Sequence, residues 1–397
     1  MARTKRSELF TADEIAVVHV MNRVVRRCFL IGVDPASGRN FDHRKRWIED
    51  ELEKSAANFG IDLIAFSLLS NHMHLILRSR PDVVATWNDL EVSRRWLMLC
   101  PIRKDAHGKA AEPSEAELNA IRLNPDKVSE IRSRLSNISW WMRLMCQRIA
   151  QRANREDGME GHFWQSRFRG VRLIDEQAIL AAAAYVDLNP IRAELAETIE
   201  ASDFTSVQRR IRSLPQEGRP AVAENPPLEH TAVEPEPSGP ADAVDSPELP
   251  FSKASKSSPT PTATPVHACL RTSAPNRYLA PVQIDEQGDA IGALPSHGKD
   301  RCSDKGFASM SAVDYLELLD WTARKIAPGK RGMTPTDAPP VLERIGMKPT
   351  AWCQLVKHFG VLFRLVAGRP HHVDAFRSRL RSGPFYLPNK TRELLAG

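Results

Sequence analysis

Cysteine is scarce in this chain of 397 residues: Cys28, Cys100, Cys146, Cys269, Cys302 and Cys353 stand far apart, with no CxxC pair. That spacing suggests neither a zinc finger nor a disulfide framework, and it fits a reducing cytoplasm. Long apolar runs are missing as well. The opening MARTKRSELFTADE lacks the apolar stretch of a secretion signal, and AILAAAAYV (Ala178 to Val186) is too short to span a bilayer. A soluble protein without a membrane partner is expected. Tyrosine is rarer still: of four, Tyr278, Tyr315 and Tyr386 come late, which leaves Tyr185 alone among residues 1–215.

Charge is nearly balanced, with 55 Lys+Arg against 49 Asp+Glu, a net +6 and a pI near 9.0. This permits an anionic partner without proving one. The distribution says more, because the two ends of the chain are basic and residues 216–300 are acidic, with 6 basic against 12 acidic groups. The same 85 residues hold 14 of the 29 prolines, in stretches such as EPEPSGP and SKSSPTPTATP. Such a composition buries too little apolar surface to offset chain entropy. The expected organisation is therefore a folded domain over 1–215, a Pro-rich disordered linker over 216–300, and a basic helical module over 301–397.

Within the first part, AVVHVMNRV (Ala16 to Val24) reads as a strand. RKRWIEDELEKSAANF (Arg44 to Phe59) repeats its apolar residues at helical spacing. IDLIAFSLL and HMHLILRS form a hairpin around Ser70 and Asn71, and an insertion at about 79–128 has no obvious place. Val128 to Asn154 reads as one long amphipathic helix, Phe168 to Ile174 as a last strand, and Asp175 to Leu188 as an Ala-rich helix opened by acids. The order β-α-β-β-α-β plus a terminal helix is the ferredoxin-like pattern of an α+β fold. In the C-terminal module, Ser311 and Asp314 occupy capping-box positions, and Thr350 to Gly368 carries one apolar helical face.

Two residue patterns suggest chemistry. In a strand, His72 and His74 project to the same face, where two imidazoles can share a cation; surface or hydrogen-bonded histidines satisfy the same spacing. Tyr185 and Asn189, four apart near a helix end, share a side of that helix, although Pro190 unsettles the last turn. A lone Tyr also serves as a core aromatic. His19 reads as structural, His162 as a loop residue, and Trp140 and Trp141 as core.

Taken in order, NHMHLIL, FWQSRF (Phe163 to Phe168) and YVDLNPIRA (Tyr185 to Ala193) resemble the single-tyrosine HUH transposases, of the REP-associated tyrosine transposase type. The resemblance covers roughly residues 10–212. It implies cleavage and joining of single-stranded or hairpin DNA, with His72, His74 and Asn189 holding Mg2+ or Mn2+ and Tyr185 as nucleophile. A phenol is a poor nucleophile at neutral pH and needs the help of a metal that polarises the phosphate. Two imidazoles are unusual for Mg2+, which prefers oxygen, so Mn2+ is a chemically reasonable candidate too. Arg23, Arg26, Arg27, Trp164, Gln165, Arg167, Arg169 and Arg192 are the expected DNA contacts, through phosphate forks and base stacking. Gln165 and Arg167 have a second reading, in which they fix the catalytic helix. A homodimer is compatible with the resemblance. A relaxase or replication initiator, and a DNA-binding protein without turnover, remain alternatives.

Overall fold

The structure is a computed structural model and describes residues 9–11, 13–25, 29–35, 37–214, 276–285, 291–326, 337–378 and 387–395. β1 (Val17–Arg23) leads through a loop to α1 (His43–Asn58), which buries Trp47, Ile48, Leu52 and Ala56 along one stripe. β2 (Ile61–Leu68) and β3 (His72–Ser79) follow, apolar and buried almost throughout. The Leu69 amide donates to the His72 carbonyl at 2.9 Å and closes the turn around Ser70 and Asn71.

The region read as an insertion is helical: α2 (Pro81–Thr86), α3 (Asp89–Leu99), α4 (Glu115–Arg122) and α5 (Pro125–Leu135). α6 (Ile138–Asp157) comes next, so the single helix expected over 128–154 is two. The break lies at Asn137, which leaves helical backbone geometry and accepts the Ser139 amide with its side chain, starting a new helix. β4 (Arg169–Leu173), α7 (Glu176–Asp187), the short α8 (Asn189–Arg192) and α9 (Ser206–Ser213) complete the first half.

The second half contributes α10 (Ala312–Ile326), α11 (Pro340–Arg344), α12 (Pro349–Leu362), β5 (Val366–Ala367), α13 (Pro370–Ser378) and α14 (Asn389–Leu395). Ser311 and Asp314 make the reciprocal capping bonds that their spacing suggests. α12 stops at Leu362, short of the expected Gly368, because Val366 and Ala367 pair with the sheet instead.

The fold is a mixed α+β one, around a five-stranded sheet of order β2-β3-β1-β4-β5. Pairing is antiparallel except between β4 and β5. α7 packs against one face of the sheet, and α6 lies behind the other, where Asn22 donates to Cys146 Sγ at 3.2 Å. Where the sequence alone suggested a separate C-terminal module, the described residues up to 214 and from 276 onward pack as one compact unit.

The described end of the expected linker, 216–300, belongs to this unit as well. Tyr278 donates to Glu49 Oε1 at 2.7 Å, the Ala280 amide donates to Leu63 O at 2.9 Å, and Leu279 is buried. Averaging composition over 85 residues hid the apolar run RYLAPVQI at its far end; residues 215–275 lie outside the described residues.

Candidate active site

Strand register assembles the site. His74 lies opposite Met21 and His72 opposite Arg23, so the odd-numbered residues of β1 and the even-numbered residues of β3 share one face at the middle of the sheet. His19 is on that face as well. Its Nε2 lies 2.9 Å from His74 Nδ1, and the two rings are within 17° of parallel, so this hydrogen bond runs nearly in the ring planes. His72 and His74 stand nearly perpendicular, with centroids 4.9 Å apart.

α7 carries Tyr185 across this face. The phenol ring meets His74 edge-on at 5.5 Å and His19 at 5.8 Å between centroids. Both ends of the helix are held. Asp175 caps its start by accepting the Ala178 amide with Oδ1, and its Oδ2 also accepts the Arg369 amide, with His372 Nδ1 at 2.9 Å. Near its end, Asp187 is fully buried and accepts from Ser206 Oγ, the Val207 amide and Tyr315 OH.

The far side of Tyr185 is covered by the second half of the chain. Phe359 of α12 lies 5.6 Å from the phenol ring, and a Cβ built on Gly360 would come within 2.8 Å of the Tyr185 hydroxyl. Glycine is what allows so close an approach. The Arg192 guanidinium sits 4.3 Å over the phenol ring and donates through Nη2 to Lys357 O at 2.9 Å. The expected nucleophile and the expected pair of imidazoles are thus neighbours, within one chain.

The protonation chemistry suits metal ligation. Burial pulls His19 and His72 down to about 4, with the Arg23 charge adding to the effect at His72. His74 is held well below the usual imidazole range too, by burial first and then by the neighbouring His19, His72, Arg192 and Arg23. All three are therefore neutral at pH 7, as a coordinating imidazole must be. Nδ1 is engaged on both ligand candidates, by Asn71 Oδ1 at 2.6 Å for His72 and by His19 for His74. Among the described residues no hydrogen bond engages either Nε2.

Ser67 Oγ opposite His74, Nε and Nη1 of Arg192, and Asn189 Nδ2 at the start of α8 are buried without a partner among the described residues. Buried polar atoms usually have partners, so these positions can take a polar ligand. No group of three or more His, Cys, Asp or Glu forms a ready-made cation cage among the described residues. Two neutral imidazoles fit a metal whose remaining positions go to water, substrate oxygens and a further protein donor. Asn189 begins α8, one turn beyond Tyr185, and is 7% exposed; no bond links it to either histidine.

The remaining expected contacts are spread differently. A polar cleft of about 520 Å³, lined by Met21, Asn22, Arg23, Gln165, Ser166, Arg167 and Arg169, opens at the strand ends next to His72. It takes in four of the predicted DNA contacts. Trp164 is half-buried and donates its indole N–H to Cys146 O at 2.7 Å, which pins the FWQSRF loop onto α6. The Gln165 amide bonds Arg23 O at 2.8 Å. Arg26 and Arg27 lie outside the described residues. His162 is exposed, and Trp141 is core while Trp140 is half-buried between the Arg134 and Arg143 guanidiniums.

Sequence reasoning missed three members of this site: His19, Phe359 and Gly360. A glycine inside a helix stripe was the one local signal, since glycine weakens a helix and is kept there for close packing.

No protein-family model matches the chain, and no curated protein does. A solved structure of a REP-associated tyrosine transposase bound to a REP hairpin is similar over 53% of this chain and 86% of that one, with a TM-score of 0.32 and 11% sequence identity. At that level the likeness carries no argument about fold or function here.

Proposed function

We propose that this chain cleaves and rejoins DNA strands through Tyr185, as the HUH transposases that its motifs resemble would. The observation that carries the reading is the meeting of Tyr185 with His72 and His74 on one sheet face, with the His74 and Tyr185 ring centres 5.5 Å apart. The strand order β2-β3-β1-β4, antiparallel throughout, supports a ferredoxin-like core beneath it. His72 and His74 would hold the cation through their free Nε2 atoms, with Asn189 as the third protein ligand. Bound there, Mg2+ or Mn2+ supplies Lewis-acid polarisation of the scissile phosphate.

The chain's own residues do the rest. The Tyr185 oxygen attacks phosphorus, its proton passes to solvent water, and the bond from phosphorus to the 3′ oxygen breaks. That oxygen takes a proton and leaves as a free 3′-OH, while the 5′ phosphate stays on Tyr185. Because one phosphodiester replaces another, a second 3′-OH reverses the step and joins strands. Arg192, stacked on the phenol, lays positive charge beside the reacting group. The cleft at Arg23, Arg167 and Arg169 would take the DNA backbone next to His72. The proposed substrate is single-stranded or hairpin DNA in the cytoplasm, a reading that the resemblance supports, and Tyr185 and His74 of one chain already lie together.

One observation favours a second reading, a DNA-binding protein without turnover: α12 lies directly on the nucleophile. Labelled single-stranded DNA incubated with the protein and Mn2+, then run on a denaturing gel, separates the two. The expected result is a covalent adduct that is lost in Tyr185→Phe and in His72→Ala. Retardation on a native gel with no adduct would establish the binding protein, and an adduct surviving in Tyr185→Phe would remove the tyrosine from the mechanism.

A further inference from the structure

His19 is a polar residue in an apolar place. It is 5% exposed in the middle of β1, and the aromatic edges of Tyr185 and Phe359 close over it at 5.8 and 5.9 Å. A Val or Leu would fill such a position without the cost of burying ring nitrogens. What the imidazole adds is one directed hydrogen bond, from ring nitrogen to ring nitrogen, with His74 Nδ1 at 2.9 Å.

That bond has two possible polarities. If His19 Nε2 donates, His74 Nδ1 is the acceptor and the neutral His74 ring carries its proton on Nε2, which blocks that nitrogen as a ligand. If His74 Nδ1 donates, His74 Nε2 is left with a bare lone pair, and His19 is the Nδ1–H tautomer. We propose that His19 is a positioning residue that accepts the Nδ1 proton of His74 and so holds His74 in the cation-binding tautomer before any cation arrives. Asn71 Oδ1, which can only accept, does the same for His72 through its Nδ1 at 2.6 Å. Each imidazole then has its own outer partner, an arrangement that fixes ring orientation and raises ligand basicity. The inference rests on the reading of His72 and His74 as the cation site, and it assigns a role in that site to a residue with no contact of its own with the cation.

The test begins on the metal-free, full-length protein labelled with 15N-histidine. Long-range proton–nitrogen correlation at pH 7.5 distinguishes the two tautomers of each ring, and the His74 signals are identified by their loss in His74→Gln. The expected result is a protonated Nδ1 and a bare Nε2 on His74, and a bare Nε2 on His19. His19→Phe should shift His74 toward the other tautomer and weaken Mn2+ binding, measured calorimetrically, by about 10- to 100-fold. His19→Gln, which restores an acceptor oxygen, should recover most of that loss. A wild-type spectrum with the His74 proton on Nε2 overturns the proposal, and the wild-type measurement stands even if the Phe variant does not fold. Folded His19→Phe with wild-type Mn2+ affinity overturns it too. If the wild-type protein takes up no Mn2+ at all, it is the cation reading that fails, whereas the metal-free spectrum still decides the polarity of the bond.

Discussion

Neutral imidazoles buried beside one another make the site sensitive to acid. An unfolded histidine takes its proton near 6.5, whereas His19 and His72 in the folded chain resist protonation down to about 4, and His74 is likewise held well below its usual range. Between those values the unfolded state binds more protons, so stability rises with pH there: it is complete above 6.5 and is lost as the pH falls toward 4. For His19 alone the loss is on the order of 3 kcal/mol. The metal-free protein should therefore melt several degrees lower at pH 5 than at pH 7, and His19→Phe should flatten part of that slope; a profile level across this range would contradict the burial argument. Tyr185→Phe is expected to behave oppositely. It keeps the ring contacts with Arg192, Phe359 and His74, so melting should shift by less than about 2 °C while the adduct disappears.

At the scale of the element, the decisive piece is α7 and the way its ends are pinned. Asp175 at the start and Asp187 at the end each take partners from both halves of the chain, which leaves the helix little freedom to slide. Against this fixed helix, α12 approaches without a side chain at Gly360. Gly360→Ala adds a methyl 2.8 Å from the Tyr185 hydroxyl, so either the phenol or α12 must move. The phenol end is the softer of the two. Adduct formation should drop at least severalfold, while melting changes by no more than about 1 kcal/mol in equivalent stability, since alanine's helix propensity offsets part of the crowding. Unchanged adduct yield with raised stability would mean that the approach is looser than described. The hairpin, α1 and the start of α7 follow from local periodicity and capping. The break at Asn137 and the early end of α12 do not, because each is decided by a competing partner: a side-chain cap in one case, a neighbouring strand in the other.

Over the whole molecule, three buried acids of the first half wait for partners from the second. Glu49 pairs with Arg209 and accepts from Tyr278; Asp62 pairs with Arg78 and Arg80 and accepts from Ser303; Asp187 accepts from Tyr315. Burial by itself would raise Asp62, yet the two guanidiniums and the Ser303 hydroxyl outweigh it and hold the carboxyl below the usual carboxylate range. Removing residues 276–397 would strip these acids of part of their bonding and expose the apolar surface beneath α10 and α12. A chain ending at 214 is expected to be insoluble or molten, as judged by loss of a cooperative melt. Tyr315→Phe is the gentler version: it leaves one oxygen of Asp187 without its hydroxyl donor and should cost about 1–3 kcal/mol in denaturant unfolding. Retention of a cooperative, wild-type melt by the truncated chain would restore the second half to the status of a separate module.

What the sequence determined by itself is local. Period-two alternation places His72 and His74 on one face, helical spacing sets Tyr185 near the end of its helix, and chain chemistry at Ser70–Asn71 turns the hairpin. The tertiary structure alone decided which face of the sheet α7 would cover, that His19, 55 residues away, would bond His74, and that α12 would close over the phenol. The reason is physical: side-chain direction along a strand or helix follows from backbone geometry that each residue carries with it. Strand register and helix docking instead depend on burying apolar surface between segments far apart in the chain, and no short stretch contains both halves of that contact.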